Sequence, residues 1–342
     1  MKKPAIRRAF FVHKLFYCMP RIIRKNDSVK KVLSLKDFND KKNKILILRE
    51  TGGLGDILMH RQMFEDFKRD MPDAEIVFAC PVTYHDALRD HPFIDEILDS
   101  RKVNPYDYLI HYNTTSACTR HEMRHAPLSN KNRSDIWANH CGVELENHNM
   151  HINLSKEMVD FGKEKIRQAG HDGKSPVVVF NPISAMLTKN LQDWQQKGLI
   201  DGLKERGMFV LGLHLRPIDG FPEDTPQIYG LKIREWMGVL NAADYVISVD
   251  TSAFHFAGGI EKPLMGVFTF ADGKVYGKYY DFILVQKHRD NGDWPCGPCY
   301  NWPGCPLDKK SPIKPCCSEI TVNMLLNGVD QMLKKWPVNE KK

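Results

Sequence analysis

The feature that most constrains this chain is a pattern that occurs twice: a short apolar run, a tight polar or glycine-containing turn, then residues at helical spacing. Ile45 to Leu48 is followed by Arg49, a turn with Gly52, Gly53 and Gly55, and a helical pattern at Ile57, Phe64, Phe67 and Met71. Further strands are predicted at Ala74 to Ala79, Phe93 to Leu98 and Tyr108 to His111, and a helix over Asp135 to Cys141. Between Leu145 and Leu154 the chain is polar and irregular, as near a domain boundary. The pattern restarts at Val177 to Phe180 and continues with strands at Met208 to Leu213, Tyr245 to Val249 and Leu264 to Phe268. Helices are predicted at Trp194 to Lys204, near Ile233 to Leu240, and from about Ala253. Strands alternating with helices imply parallel sheets covered on both faces. A chain of 342 residues exceeds the size at which one hydrophobic core usually stops growing, so two α/β domains are expected. A last helix follows from Val322, Leu325, Leu326, Val329, Met332, Leu333 and Trp336, with Ser318 or Thr321 as its cap.

Charge separates a third segment. From Met1 to Lys44 there are fourteen Lys and Arg against Asp27, Asp37 and Asp40, a balance of +11 within a net charge of +7, so the remainder sums to −4. The division expected is a basic extension over 1–43, a first domain over 44–160 and a second over 161–342. With Phe10, Phe11, Leu15, Phe16 and Tyr17 among its charges, residues 1–43 suit an anionic membrane surface, nucleic-acid phosphates, or simple packing on the main body. The run from Ala9 to Met19 is broken by His13 and Lys14, which argues against a spanning helix or a secretory signal and for a cytoplasmic protein.

The glycines at 52, 53 and 55 let the backbone turn sharply and bring a ligand close to a helix start, where unpaired N–H groups favour negative charge. Asp56 stands at the mouth of the expected cleft, as a reactive carboxylate or as a helix cap. The loop is neither the dinucleotide fingerprint nor a P-loop, because no Gly-Lys-Ser/Thr follows. Five of the nine cysteines, Cys296, Cys299, Cys305, Cys316 and Cys317, fall within one stretch. They are candidates for a structural zinc site, for reduced thiols, or for a disulfide.

Three stretches together resemble glycosyltransferase family 9, which includes the ADP-heptose:lipopolysaccharide heptosyltransferases. They are ILILRETGGLGDILM at 45–59, VISVDTSAFHFAGGIEKPLMGVF at 246–268 and CGPC at 296–299, and their order matches over about residues 44–335. The resemblance implies a GT-B fold: two Rossmann-like parallel-sheet domains facing across a cleft, with the C-terminal helix crossing back to the first. It implies donor binding mainly by the second domain and acceptor binding mainly by the first. Asp56 takes the position of the family's proposed catalytic base. Asp250, Thr251, Ser252 and His255 match the stretch that cradles the donor phosphates, with Ser252 where the family has Gly, and Lys189 is similar to a lysine that pairs with the diphosphate. The basic extension has no counterpart in the resemblance, and Asn113 to Arg133 shows no family pattern.

The reaction so implied is inverting transfer of a sugar from a nucleotide-diphosphate donor to a hydroxyl acceptor. Asp56 removes the acceptor proton, with its pKa raised by partial burial. Lys189, His255 and the backbone at Thr251 and Ser252 stabilise the departing diphosphate. No Asp-x-Asp pair occurs in the sequence, so no divalent metal is expected in catalysis, and the nucleotide sugar is a co-substrate rather than a cofactor. The acceptor is a glycan such as a lipopolysaccharide core or, given the His/Arg-rich stretch from Arg120 to Arg133, a hydroxymethylated base in DNA. A non-catalytic sugar-nucleotide binding protein is the rival from a different class.

Overall fold

The computed structural model describes residues 43–125, 129–287, 299–300, 305 and 314–337. The expectations placed on residues 1–42 and on Cys296 therefore lie outside the described residues.

The first half contains β1 (Lys44–Leu48), α1 (Leu54–His60), a 3-10 turn at Arg61–Met63, α2 (Phe64–Asp70), β2 (Glu75–Cys80), β3 (Glu96–Asp99), β4 (Ile110–Asn113), α3 (Ala117–His125) and α4 (Arg133–His140). Its four strands run parallel in the order β3-β2-β1-β4. After an irregular stretch, α5 (Lys156–Gln168) leads into β5 (Val177–Asn181), α6 (Asp193–Glu205), β6 (Phe209–His214), β7 (Gln227–Tyr229), α7 (Ile233–Ala242) and β8 (Tyr245–Val249). Then come α8 (Ser252–Gly259), β9 (Leu264–Phe268), α9 (Gly273–Tyr276), β10 (Ile283–Gln286), α10 (Pro315–Ser318) and α11 (Val322–Lys335). The second sheet is also parallel, in the order β10-β9-β8-β5-β6-β7. Strands β5, β8 and β9 are buried along their whole length, as a sheet covered on both faces requires.

Both sheets reverse direction beside their first strand, one between β1 and β4 and the other between β5 and β8. Such switch points open crevices at the carboxyl ends of the strands, where ligands of α/β sheets bind. The two sheets are not independent bodies. One buried apolar cluster runs from Ile57, Phe64 and Phe78 of the first half to Trp236, Phe254 and Phe268 of the second.

Helix α5 packs on α7, and the division expected after residue 160 falls inside it. It crosses α7 at a pair of glycines: a Cβ added at Gly162 would lie 2.0 Å from the Gly238 carbonyl oxygen, and one at Gly238 would lie 2.3 Å from that of Met158. Backbone thus touches backbone, and neither position has room for a methyl group. The closing helix corrects one expectation. Capped by Thr321, whose side chain accepts from the Met324 N–H, α11 buries Leu325, Val329 and Met332 in a second cluster with Leu199, Leu203, Met265 and Val285. Gly198 and Gly202 of α6 face Val322 and Leu326. The stripe is therefore satisfied within the second domain instead of crossing back to the first, because α6 offers it a glycine-lined groove. The Gly162→Ala substitution is expected to lower unfolding free energy by about 3 kcal/mol through overpacking, measured by urea denaturation against the wild type; a loss below about 1 kcal/mol would show that the helices separate easily.

Candidate functional site: two helix starts facing across the cleft

The loop after β1 is shaped by a buried ion pair. Gly52 has φ +137°, and a Cβ there would stand 2.7 Å from both Arg49 Nη2 and Asp56 Oδ2. Only glycine tolerates that conformation and that space. Asp56 sits in the first turn of α1, where its Oδ2 accepts from the Gly53 N–H (3.2 Å) and from Arg49 Nη2 (2.9 Å). Oδ1 accepts from Arg133 Nη1 at 3.2 Å. Asp56 does cap its helix, and it is also held between two guanidinium groups with 16% of its side chain exposed.

Those charges decide its ionisation. Burial pushes the Asp56 carboxyl up, but Arg133 and then Arg49 outweigh it, and the group is held below the ordinary carboxylate range. The expectation that the cleft raises this pKa is therefore reversed. Beneath Asp56, His60 is buried, bonded through Nδ1 to the Asp56 carbonyl oxygen (2.7 Å) and through Nε2 to Thr114 Oγ1 (3.0 Å), and stacked on Trp137. Burial, aided by Arg49, pushes it down to about 3, so it is neutral. Arg49 also donates to the carbonyl oxygens of Thr114 (3.1 Å) and Thr115 (2.7 Å), spanning the β1–β4 crevice.

On the opposite side, β8 ends at Asp250 and α8 begins. Thr251 is its N-cap: the hydroxyl accepts from the Ala253 N–H at 3.3 Å and lies 3.0 Å from Ser248 Oγ. Lys189, on a 3-10 turn after β5, places Nζ 2.7 Å from Asp250 Oδ2, and His255 Nε2 lies 3.6 Å from Oδ1. Burial pushes the Asp250 carboxyl up, while Lys189 and His255 bring it far below the usual range. His255 Nδ1 is 3.3 Å from the Tyr280 hydroxyl. Asn181 Oδ1, at the end of β5, and Thr188 Oγ1, beside Lys189, are buried polar atoms without a hydrogen-bond partner among the described residues.

The two loops meet. A Cβ at Gly55 would lie 3.2 Å from His255 Cδ2 and 3.5 Å from Ser252 Cα. Gly52, Gly53, Gly55, Asp56, Lys189, Asp250, Thr251, Ser252 and His255 thus form one contiguous site at the carboxyl ends of both sheets.

Of the five clustered cysteines, Cys299, Cys305, Cys316 and Cys317 are described. Cys317 is buried and donates its thiol proton to the Asn190 carbonyl oxygen (2.9 Å), and burial pushes that thiol up to about 11. In this arrangement it is a protonated hydrogen-bond donor. Cys299 and Cys316 pack against the large core, and Cys305 is half-buried. Among the described residues no three His, Cys, Asp or Glu side chains are grouped to hold a metal ion.

Sequence reasoning did not single out Arg49, Glu122, Arg133 or Tyr276. Arg49 had a signal, a cation at the carboxyl end of a buried strand beside a glycine loop. Arg133 and Glu122, eleven residues apart, have none in their spacing; they join only because α3 and α4 pack side by side, as a fork of 2.8 and 3.0 Å.

No protein-family model matches the sequence, nor does any curated protein. Solved structures do match its fold. The glycosyltransferase family 9 protein of Veillonella parvula is 13% identical over 86% of this chain and 98% of its own, with a TM-score of 0.63. The ADP-heptose lipopolysaccharide heptosyltransferase II of E. coli is 12% identical over 86% of this chain and 100% of its own, at 0.62. TibC, a dodecameric iron-containing glycosyltransferase of enterotoxigenic E. coli, is 16% identical over 85% of this chain and 76% of its own, at 0.63.

An Arg49→Met substitution, which leaves Asp56 buried with one guanidinium fewer, is expected to cost about 3 kcal/mol at pH 7 in urea unfolding. Because the Asp56 pKa is depressed by folding, this contribution is present above about pH 3.8 and lost as pH falls through the folded value, so the gap between variant and wild type narrows below that pH. A pH-independent gap would show that Arg49 acts through packing alone. With two parallel sheets meeting at these facing helix starts, the chain has the GT-B fold of the glycosyltransferase family 9 structures.

Proposed function

We propose that this chain is a glycosyltransferase that moves a sugar from a nucleotide-diphosphate donor to a hydroxyl acceptor with inversion, Asp56 accepting the acceptor proton. The observation that carries the reading is the contact between the Asp56 loop of one sheet and the start of α8 on the other, at Gly55 and Ser252. A base and an anion-binding helix start then flank one point, as in-line displacement requires.

The donor diphosphate belongs at α8. The N–H groups of its first turn, Lys189 and His255 are fixed donors for the charge that gathers on the leaving group. Asp250, an anion, cannot itself bind phosphate. It holds Lys189 and His255 in place, and the diphosphate then competes for their protons. The donor named for the E. coli neighbour, ADP-heptose, is the first candidate, and a lipopolysaccharide core the first acceptor.

A carboxylate paired with two arginines is a weak base at rest. Its ionised form is assured at neutral pH, and it accepts a proton only as the acceptor oxygen bonds to the sugar. On the acceptor side, α3 turns Arg120, Arg124 and His125 to solvent, while its single acid, Glu122, is buried on Arg133. That cationic face suits an acceptor carrying negative charge. DNA meets the same requirement, and binding to duplex DNA that is insensitive to salt would dismiss it.

The test begins with thermal shift against a panel of nucleotide sugars, where a donor at ~100 times its dissociation constant adds about 2.7 kcal/mol of stability. With that donor, Asp56→Asn is expected to bind nearly as well as wild type and to turn over on the order of 10²-fold more slowly. Turnover at the wild-type rate would remove Asp56 as the base, and the absence of any stabilising nucleotide sugar would remove the enzyme class.

A further inference from the structure

We propose that Tyr276, on the second domain's side of the cleft, is a positioning residue for the Asp56 carboxylate on the first, acting through Glu122 and Arg133. The inference rests on the reading of Asp56 as the base and adds what holds that base in register.

The links are continuous. The Tyr276 hydroxyl donates to Glu122 Oε1 at 2.9 Å. Glu122, with 8% of its side chain exposed, accepts from Arg133 Nε at 2.8 Å and Nη2 at 3.0 Å. Only Nη1 remains, and it donates to Asp56 Oδ1 at 3.2 Å. The Tyr276 ring lies against the same guanidinium, 4.7 Å from Cζ to centroid. Beside it, Asn132 Nδ2 donates to the carbonyl oxygens of Val275 (2.9 Å) and Tyr276 (3.0 Å), fixing α9 to the start of α4.

The division of the guanidinium matters chemically. An arginine fork set squarely on Asp56 would occupy both oxygens and leave little capacity to take a proton. With two of its N–H groups committed to Glu122, Arg133 gives Asp56 a single bond that orients the carboxylate; Oδ2 already accepts from Gly53 and Arg49, and a lone pair of Oδ1 stays available to take a proton. Tyr276 and Glu122 come from different domains, so this arrangement forms only when the sheets are closed on each other as they are here. Closure and the setting of the base are then one event.

Turnover is measured as ADP release from ADP-heptose with water as acceptor, using the full chain. Tyr276→Phe keeps the ring against Arg133 and removes only the hydroxyl. It is expected to lower kcat about 10-fold, the worth of a hydrogen bond to a charged group, with KM for ADP-heptose unchanged. In an Asp56→Asn background the same substitution should cause no further loss, because its route runs through Asp56. Wild-type kcat in Tyr276→Phe, or a loss repeated in full in the Asp56→Asn background, overturns the proposal. If Asp56→Asn itself turns over normally, the base reading fails, and with it the catalytic part of this inference. A second measurement needs no substrate: hydrogen exchange of the Arg133 Nε–H, assigned by Arg133→Lys. Exchange at least 10-fold faster in Tyr276→Phe supports the linkage, and unchanged exchange refutes it even if ADP-heptose is not turned over.

Discussion

The site depends on one buried carboxylate placed between two guanidinium groups. Taking Asp56 out of water is costly unless its charge is matched, and Arg49 and Arg133 match it from two directions. Much of the surrounding chain follows from that requirement. Gly52 must be glycine because the Arg49–Asp56 pair fills the space of a side chain. Arg49 reaches across to the backbone after β4, so the ion pair also closes the crevice beside β1. Arg133 needs its own counter-ion, and Glu122 supplies it from a helix that otherwise shows its cations to water.

The second half solves the same problem with different residues. Asp250, at the end of β8, is more deeply buried than Asp56 and is held by Lys189 and His255. In the first, two guanidinium groups hold one acid; in the second, one acid holds a lysine and a histidine. Both lie at switch points of parallel sheets. The two halves are joined by the shared apolar core and by the close approach of Gly55 to His255 and Ser252.

Most strands were legible in the sequence because buried parallel strands are continuous apolar runs, as in Val177–Asn181 and Tyr245–Val249. The glycine loop could be read because backbone geometry restricts which residues such a turn accepts, whereas the Asp250–His255 stretch was legible only through its resemblance to the family. Helix α3 could not be found this way. It is mostly polar, and beside the buried Ala117 and Cys118 what ties it down is Glu122, which has meaning only once Arg133 and Tyr276 stand beside it. The sign of the Asp56 shift escaped for a similar reason, since burial is visible in a motif but the partners of the buried group are far along the chain. The last helix was readable as a helix, whereas its partner was set by Gly198 and Gly202, whose empty side could be assigned only in three dimensions.

The central claim is that the two helix starts form one transfer site. A crystal structure of the chain soaked with ADP tests it most directly. The account predicts the diphosphate at the first turn of α8, accepting from the Ser252 or Ala253 N–H and from Lys189 Nζ, with the terminal phosphate on the side of the Asp56 loop. A diphosphate seated elsewhere in the cleft, with Lys189 still paired only to Asp250, would contradict it.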